Sequence, residues 1–238
     1  MNNMNIISAK AKISKNVKIG PFTIIHDDVI IGENSEIGSY CEIGYKSSLM
    51  IKNNKTIIGK NAFIRSNSTI YESCKIGDHF RTGHNCVVRE NSIIGDFFQL
   101  GAYCEIQGDV RIGNHVRFQS NVFISKKTKI NDYVWIFPNV TITNDPTPPS
   151  NNLDGVTINE YAVICAGATI LPGLTIGEGS IVASNSLVTK STRPHFLVMG
   201  SPAKEIKPSK EIYLKDQTGI SAYPWTNHYK KGYPNNLK

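Results

Sequence analysis

Six histidines occur in the chain, and three of them are placed to do chemistry. His79 and His84 are spaced H-x4-H, and His115 follows 36 residues after His79. Neutral imidazole can accept a proton near pH 7 or ligate a metal. Thr82 and Gly83 stand immediately before His84, and a glycine beside a histidine permits close approach of a ligand. Side chains suited to hydroxyls, amines and phosphates stand in the same stretch: Arg81, Asn85, Gln119 and Asn121. Asn144 and Asp145 open the run NDPTPPSNNLDG. A Pro- and Asn-rich segment that interrupts regular structure commonly carries function. Lys190, Arg193 and Lys204 come late in the chain, where they could meet phosphate.

What must position these residues is a period of six. From Ile58 to Ile142 every sixth residue is apolar in fourteen of fifteen places, Thr82 being the exception, in a chain that is 40% hydrophobic. A helix repeats near 3.6 and a strand near 2, so six fits neither alone. It fits a short strand plus a corner, three such units closing one coil of a solenoid. Three places after the apolar residues stand Asn16, Asp28, Asn34, Asn61, Asn139, Gly173 and their like, which tolerate left-handed backbone. The same period runs from Ile13 to Ile43 and from Ile158 to Val188, so the spacing predicts nine coils. Interruptions at 44–57 and 143–157 follow whole numbers of coils, so both loops should leave from one corner of the column. An inward-facing isoleucine ladder has no chemistry of its own, which leaves the corners, loops and seams to carry function.

The unit seen here as IGENSE, IGSYCE, IGDHFR and IGNHVR resembles the hexapeptide-repeat acyltransferases over about residues 13–188. That resemblance implies an all-β fold, a left-handed parallel β-helix with a short C-terminal helical or irregular tail. It further implies a homotrimer with active sites between subunits, acetyl-CoA as co-substrate and no metal. The runs AGATILPGLTIG and VTKSTRPHFLVMGSPAKEIK resemble the family's coenzyme A segment. By that likeness the backbone of Ala166, Gly167, Ala168 and Ser184 holds the pantetheine arm, and Lys190, Arg193 and Lys204 meet the phosphates. The runs HFRTGHNCVVRENSIIGD and PNVTITND resemble the acetyltransferases acting on nucleotide-linked amino sugars of surface glycans. His84 is then the catalytic base with His115 its rival, and Arg81, Asn85, Gln119, Asn121, Asn144 and Asp145 face the substrate. The second loop would reach the neighbouring subunit. A sugar or serine hydroxyl is the alternative acceptor, although the O-acetyltransferases commonly carry a histidine in the second loop and none is present here. A third reading is a zinc-dependent hydratase, since the β-helical carbonic anhydrases also use an H-x4-H pair.

Composition bounds these readings. A chain of 238 residues suits one domain over 1–192 followed by a tail at 193–238. The net charge of +7 suits polyanionic ligands such as coenzyme A and nucleotide diphosphates. No aromatic-interleaved basic stripe appears within the repeat, which argues against a nucleic-acid partner. Cys41, Cys74, Cys86 and Cys104 occupy the small inward place of their hexads and should be free thiols packed as small hydrophobes. The start, MNNMNIISAKAKI, lacks a signal-peptide core, and no apolar run approaches membrane length. The expectation is a cytoplasmic protein without membrane insertion. PSKEIYLKDQ reads as a short helix over the lower end of the column, and AYPWTNHYKKGYPNNLK as a strap packed on the outside of the coils.

Overall fold

The structure is a computed structural model describing residues 4–48 and 55–235. Mostly two-residue strands alternate with tight corners and assemble into three sheets of ten, nine and eleven strands. Up to Val188 each strand pairs in parallel with the strand three along the chain, as Ile112 does with Ile130 and Ile136 with Ile164. This is the coil that the period predicts. Ile58, Ile106, Ile124, Ile136 and Ile170 fill its interior and are essentially unexposed. The column runs to about ten coils rather than nine, because Ile6–Ile7 adds a strand at the start, beside Ile24–Ile25, and Phe196–Gly200 adds another at the end, beside Ile181–Val182. The first sheet starts with Ile6–Ile7, the second with Lys12–Ile13 and the third with Lys18–Ile19.

Corners form where a residue takes positive φ. Asn16, Asn34, Asn61, Asn85, Asn121 and Asn139 do so at 56–61°, as their short polar side chains allow. His79, Phe97, His115, Tyr133 and Tyr161 take the same backbone angle at the corner from the second to the third sheet. There the ring stacking described below offsets the strain. That corner also explains the Ile-Gly-Asp/Asn motif. Asp78 accepts the Lys60 N–H at 2.9 Å, Asp96 the Asp78 N–H at 2.7 Å, Asn114 the Asp96 N–H at 2.8 Å and Asp132 the Asn114 N–H at 2.7 Å. Each of these side chains lies over the glycine one coil away, so a Cβ on Gly59, Gly77, Gly95 or Gly113 would collide with it.

The inward small place is occupied as expected by Ala62, Cys86, Cys104, Val122 and Val140. Phe80 and Phe98 depart from the pattern: both are fully buried there, with Phe98 edge-on to Phe118 at 5.0 Å. Thr82, the polar exception in the ladder, is buried in the same stretch. Its Oγ1 accepts the backbone N–H of Arg65 at 2.9 Å, so its polar atom is satisfied. All five cysteines are free. Burial pushes the Cys74 and Cys104 thiols up to about 12.

Both loops leave from the corner between the first and second sheets, one after Glu42–Tyr45 and the other after Thr141–Ile142. Residues 49–54 of the first lie outside the described residues. At the far end Phe196–Gly200 adds to the third sheet beside Ile181–Val182, then turns back antiparallel as Ala203–Pro208. The helix expected in PSKEIYLKDQ shrinks to one 3-10 turn, Ser209–Glu211. The backbone before it is committed to the hairpin, and Tyr213 after it bridges to Ser221. The aromatic end of the chain does lie as a strap, burying Trp225 and Tyr233 with Val163, Ile181 and Leu197 of the third sheet.

Candidate active site

The corner from the third to the first sheet collects about half of the candidate site residues named above. His84, Ala102, Ser120, Pro138, Ala166 and Ser184 follow one another along it, each joined to the next coil through the corner backbone. Asn85, Asn121, Gly167 and Asn185 form the adjoining line at positive φ. His84 is exposed, whereas Ala168 lies wholly inside the column and can offer only backbone. Four coils separate His84 from Ala166, about 19 Å along the axis at strand spacing. Gly83 is a packing requirement of this corner, because a Cβ would strike the backbone of Ala102. Among the described residues, the amide N–H groups of His84, Ala166 and Ser184 donate to no protein acceptor. On the neighbouring corner Asp and Asn side chains cap the equivalent groups. The third corner therefore presents a row of donors that a ligand's carbonyl or oxyanion could accept from.

His115 stands on the other corner, in a stack His79–Phe97–His115–Tyr133–Tyr161 with neighbouring ring centroids 4.4–5.2 Å apart and planes within 6°. Burial holds its pKa below the ordinary histidine value against the pull of Asp132, and its Nδ1 is buried without a partner. This geometry makes His115 a stacking element. The stack also separates the H-x4-H pair, since His79 and His84 sit on different corners and Phe97 lies between His79 and His115. Among the described residues no three His, Cys, Asp or Glu side chains converge as a metal site would require.

The second loop is held by the residues expected to face substrate. Asp145 accepts from the N–H groups of Thr147 and Ser150 and from the Ser150 hydroxyl. The Ser150 hydroxyl and then those backbone donors hold the Asp145 carboxyl below its ordinary range. Asn144 donates to the Lys126 carbonyl and accepts the Asp154 N–H at 2.7 Å. Beneath the loop Glu90 is wholly buried and paired with Arg89 at 3.0 Å and Lys126 at 3.4 Å. Burial opposes its ionisation, but its own backbone N–H, Arg89 and Lys126 outweigh that and hold the carboxyl below its usual range. Spacing gave no hint of this network, because Glu90 fills space that Gly108 leaves one coil below.

At the last coil Lys190 and Lys204 line a common cleft with Thr189 and Pro202. Arg193 is instead committed to Glu205, its Nε donating at 2.8 Å, and lies over the Phe196 ring. Arg81 and Gln119 come together elsewhere, on the outer face of the third sheet with Gln99, Arg117, Trp135 and Tyr229. Arg117 donates to the carbonyls of Lys231 and Gly232 in the strap and stacks on Tyr233 at 4.1 Å. Gln99, Arg117 and Trp135 are absent from the sequence reading. The 18-residue spacing of 81, 99, 117 and 135 is the signal that would have found them.

Comparison with known proteins bears on this arrangement. The family described as "Bacterial transferase hexapeptide (six repeats)" matches residues 10–45, 55–90 and 91–126. A candidate serine acetyltransferase of Schizosaccharomyces pombe (strain 972 / ATCC 24843) is 34% identical over 84 residues, 35% of this chain and 30% of that protein. A chloramphenicol acetyltransferase of Morganella morganii is 52% identical over 40 residues, 17% of this chain and 19% of that protein. The chain thus spans less than a third of the length of these relatives. The solved UDP-N-acetylglucosamine acyltransferase of Arabidopsis superposes with a TM-score of 0.59 at 13% identity, over 87% of this chain and 74% of that one. Among the described residues no helix is long and apolar enough to cross a membrane. Three blocks of matched hexapeptide repeats lie along this three-sheet column, whose fold is the left-handed parallel β-helix.

Proposed function

We propose that the protein is an acyltransferase that moves an acetyl group from acetyl-CoA to the amine of a nucleotide-diphosphate amino sugar, for surface-glycan synthesis. The observation that carries this reading is the third corner. It sets His84, Asn85 and Asn121 in line with Ala166, Gly167 and Ser184, beside amide donors that have no protein partner. The names of the relatives, acetyltransferases and a UDP-N-acetylglucosamine acyltransferase, support the acyl-transfer class.

In the reaction the neutral amine attacks the thioester carbonyl carbon. A corner amide N–H at the height of His84, such as its own, stabilises the oxyanion, and those of Ala166 and Ser184, four and five coils along, meet the pantetheine arm. Collapse breaks the C–S bond and expels the thiolate. The amine proton passes to His84 or to the departing sulfur. Lys190 and Lys204 meet the coenzyme A phosphates. Asn144 and Asp145 lie on a different corner from His84, so on this reading a neighbouring copy in a homotrimer brings its second loop to the site. The protein would work in the cytoplasm, where acetyl-CoA and nucleotide sugars are available.

The serine acetyltransferase relative favours a second reading with a hydroxyl acceptor. A thermal-shift screen with acetyl-CoA and dTDP-, UDP- and GDP-sugars tests ligand class, because a ligand bound to the folded state raises the melting temperature with its affinity. His84→Ala should lower kcat by about 10²–10⁴ if His84 takes the proton. An unchanged kcat would assign the proton to the thiolate and remove the role of His84.

A further inference from the structure

Two adjoining hollows run along the outer face of the third sheet, under the strap, and share Gln119, Trp135 and Tyr229. They differ in chemistry. One, about 320 Å³, is walled by Trp135, Phe137, Val163, Tyr223, Trp225 and Tyr229. The other, about 350 Å³, carries Arg81, Gln99, Arg117 and Gln119 over a floor that includes Gly83 and Gly101. No aspartate or glutamate lines either one. Arg81 and Gln119 are exposed, and among the described residues the side chains of Arg81, Gln99 and Gln119 have no hydrogen-bond or ion-pair partner. Arg117 is engaged, holding the strap through the carbonyls of Lys231 and Gly232. The wall formed by the strap is therefore a fixed part of the groove.

A groove with aromatic faces at one end, and an unpaired guanidinium with two free amides at the other, is complementary to a planar ring joined to an anion. Aromatic walls stack on the ring of any nucleobase, and a guanidinium forks onto phosphate oxygens. We propose that this groove holds the nucleoside diphosphate part of the substrate, the base lying in the aromatic-walled hollow and the diphosphate reaching Arg81. Gln99 and Gln119 hydrogen-bond the ribose or the phosphates. This assignment rests on the nucleotide-sugar reading above, and it gives the C-terminal strap a binding role besides its packing.

The chain has two tryptophans, Trp135 and Trp225, and both line the groove, so intrinsic emission reports on its occupancy. The test titrates the full chain with UDP, dTDP and GDP, with inorganic pyrophosphate as the ringless control. Far-UV circular dichroism confirms that the variants keep their fold. The expected result is saturable quenching by at least one nucleoside diphosphate and none by pyrophosphate. Arg81→Gln should raise the Kd at least tenfold and Gln119→Ala several-fold. An emission unchanged up to millimolar nucleotide, or a Kd that both substitutions leave untouched, overturns the assignment. Acetyl transfer measured in parallel separates the two readings. Transfer to a nucleotide amino sugar with a KM indifferent to Arg81→Gln sinks the groove and leaves the function standing. Saturable, Arg81-dependent quenching without transfer to any nucleotide sugar keeps the groove and sinks the function.

Discussion

Protonating His115 would put a charge between the rings of Phe97 and Tyr133, with Nδ1 in a place where no acceptor waits. Burial depresses its pKa, so the folded state binds fewer protons than the unfolded chain as pH falls below about 6.5. The neutral ring thus contributes stability that is full above that pH and lost progressively below it. A melting-temperature profile should fall as the pH drops below about 6.5, and His115→Phe should flatten that fall while preserving the stack. Glu90 is a second buried ionisable group whose environment sets its charge. Replacing it by glutamine leaves Arg89 and Lys126 without their carboxylate. We expect a loss of about 2–3 kcal/mol by urea denaturation, below the cost of breaking a fully buried pair because both cations remain partly exposed.

The corner ladder is the element that makes the coil repeat, and glycine is its spatial requirement. Gly113→Ala would press a Cβ onto the Asp132 side chain and the Asn131 backbone. Overpacking of this kind should cost about 1–3 kcal/mol, again read from urea denaturation. Much of this was legible in the sequence. Every sixth isoleucine located the strands, the Asn and Gly places located the corners, and whole-coil intervals put both loops on one corner. Other features were not legible, because they arise between coils. Asp78 caps a residue 18 positions away, and Glu90 uses the space above Gly108. The start of the column was missed although Ile7 stands six residues before Ile13 and so keeps the period. The hairpin at 196–208 was missed because its strands follow no six-residue rule. Of the candidate site residues, those on the third corner could be aligned from spacing alone. The roles of Asn144, Asp145 and Arg193 could not, since each depends on a partner that only the folded loop or hairpin supplies.

As a whole the molecule is a column with one capped corner, one corner bearing loops and, among the described residues, one corner with unpartnered amide donors. Its third face is covered toward one end by the strap. A single copy holds His84 and the second loop on different corners, so the proposed chemistry needs the surface where copies meet. The most direct test of the account supplies the purified protein with acetyl-CoA and a matched pair of acceptors. One is a dTDP- or UDP-linked amino sugar, the other the same nucleotide sugar with a hydroxyl in place of the amine, and release of the coenzyme A thiol is followed. The account predicts rapid thiol release with the amino sugar and background release with its hydroxyl counterpart. Release with the hydroxyl compound alone, or with neither member of any pair across the nucleotides, would contradict it.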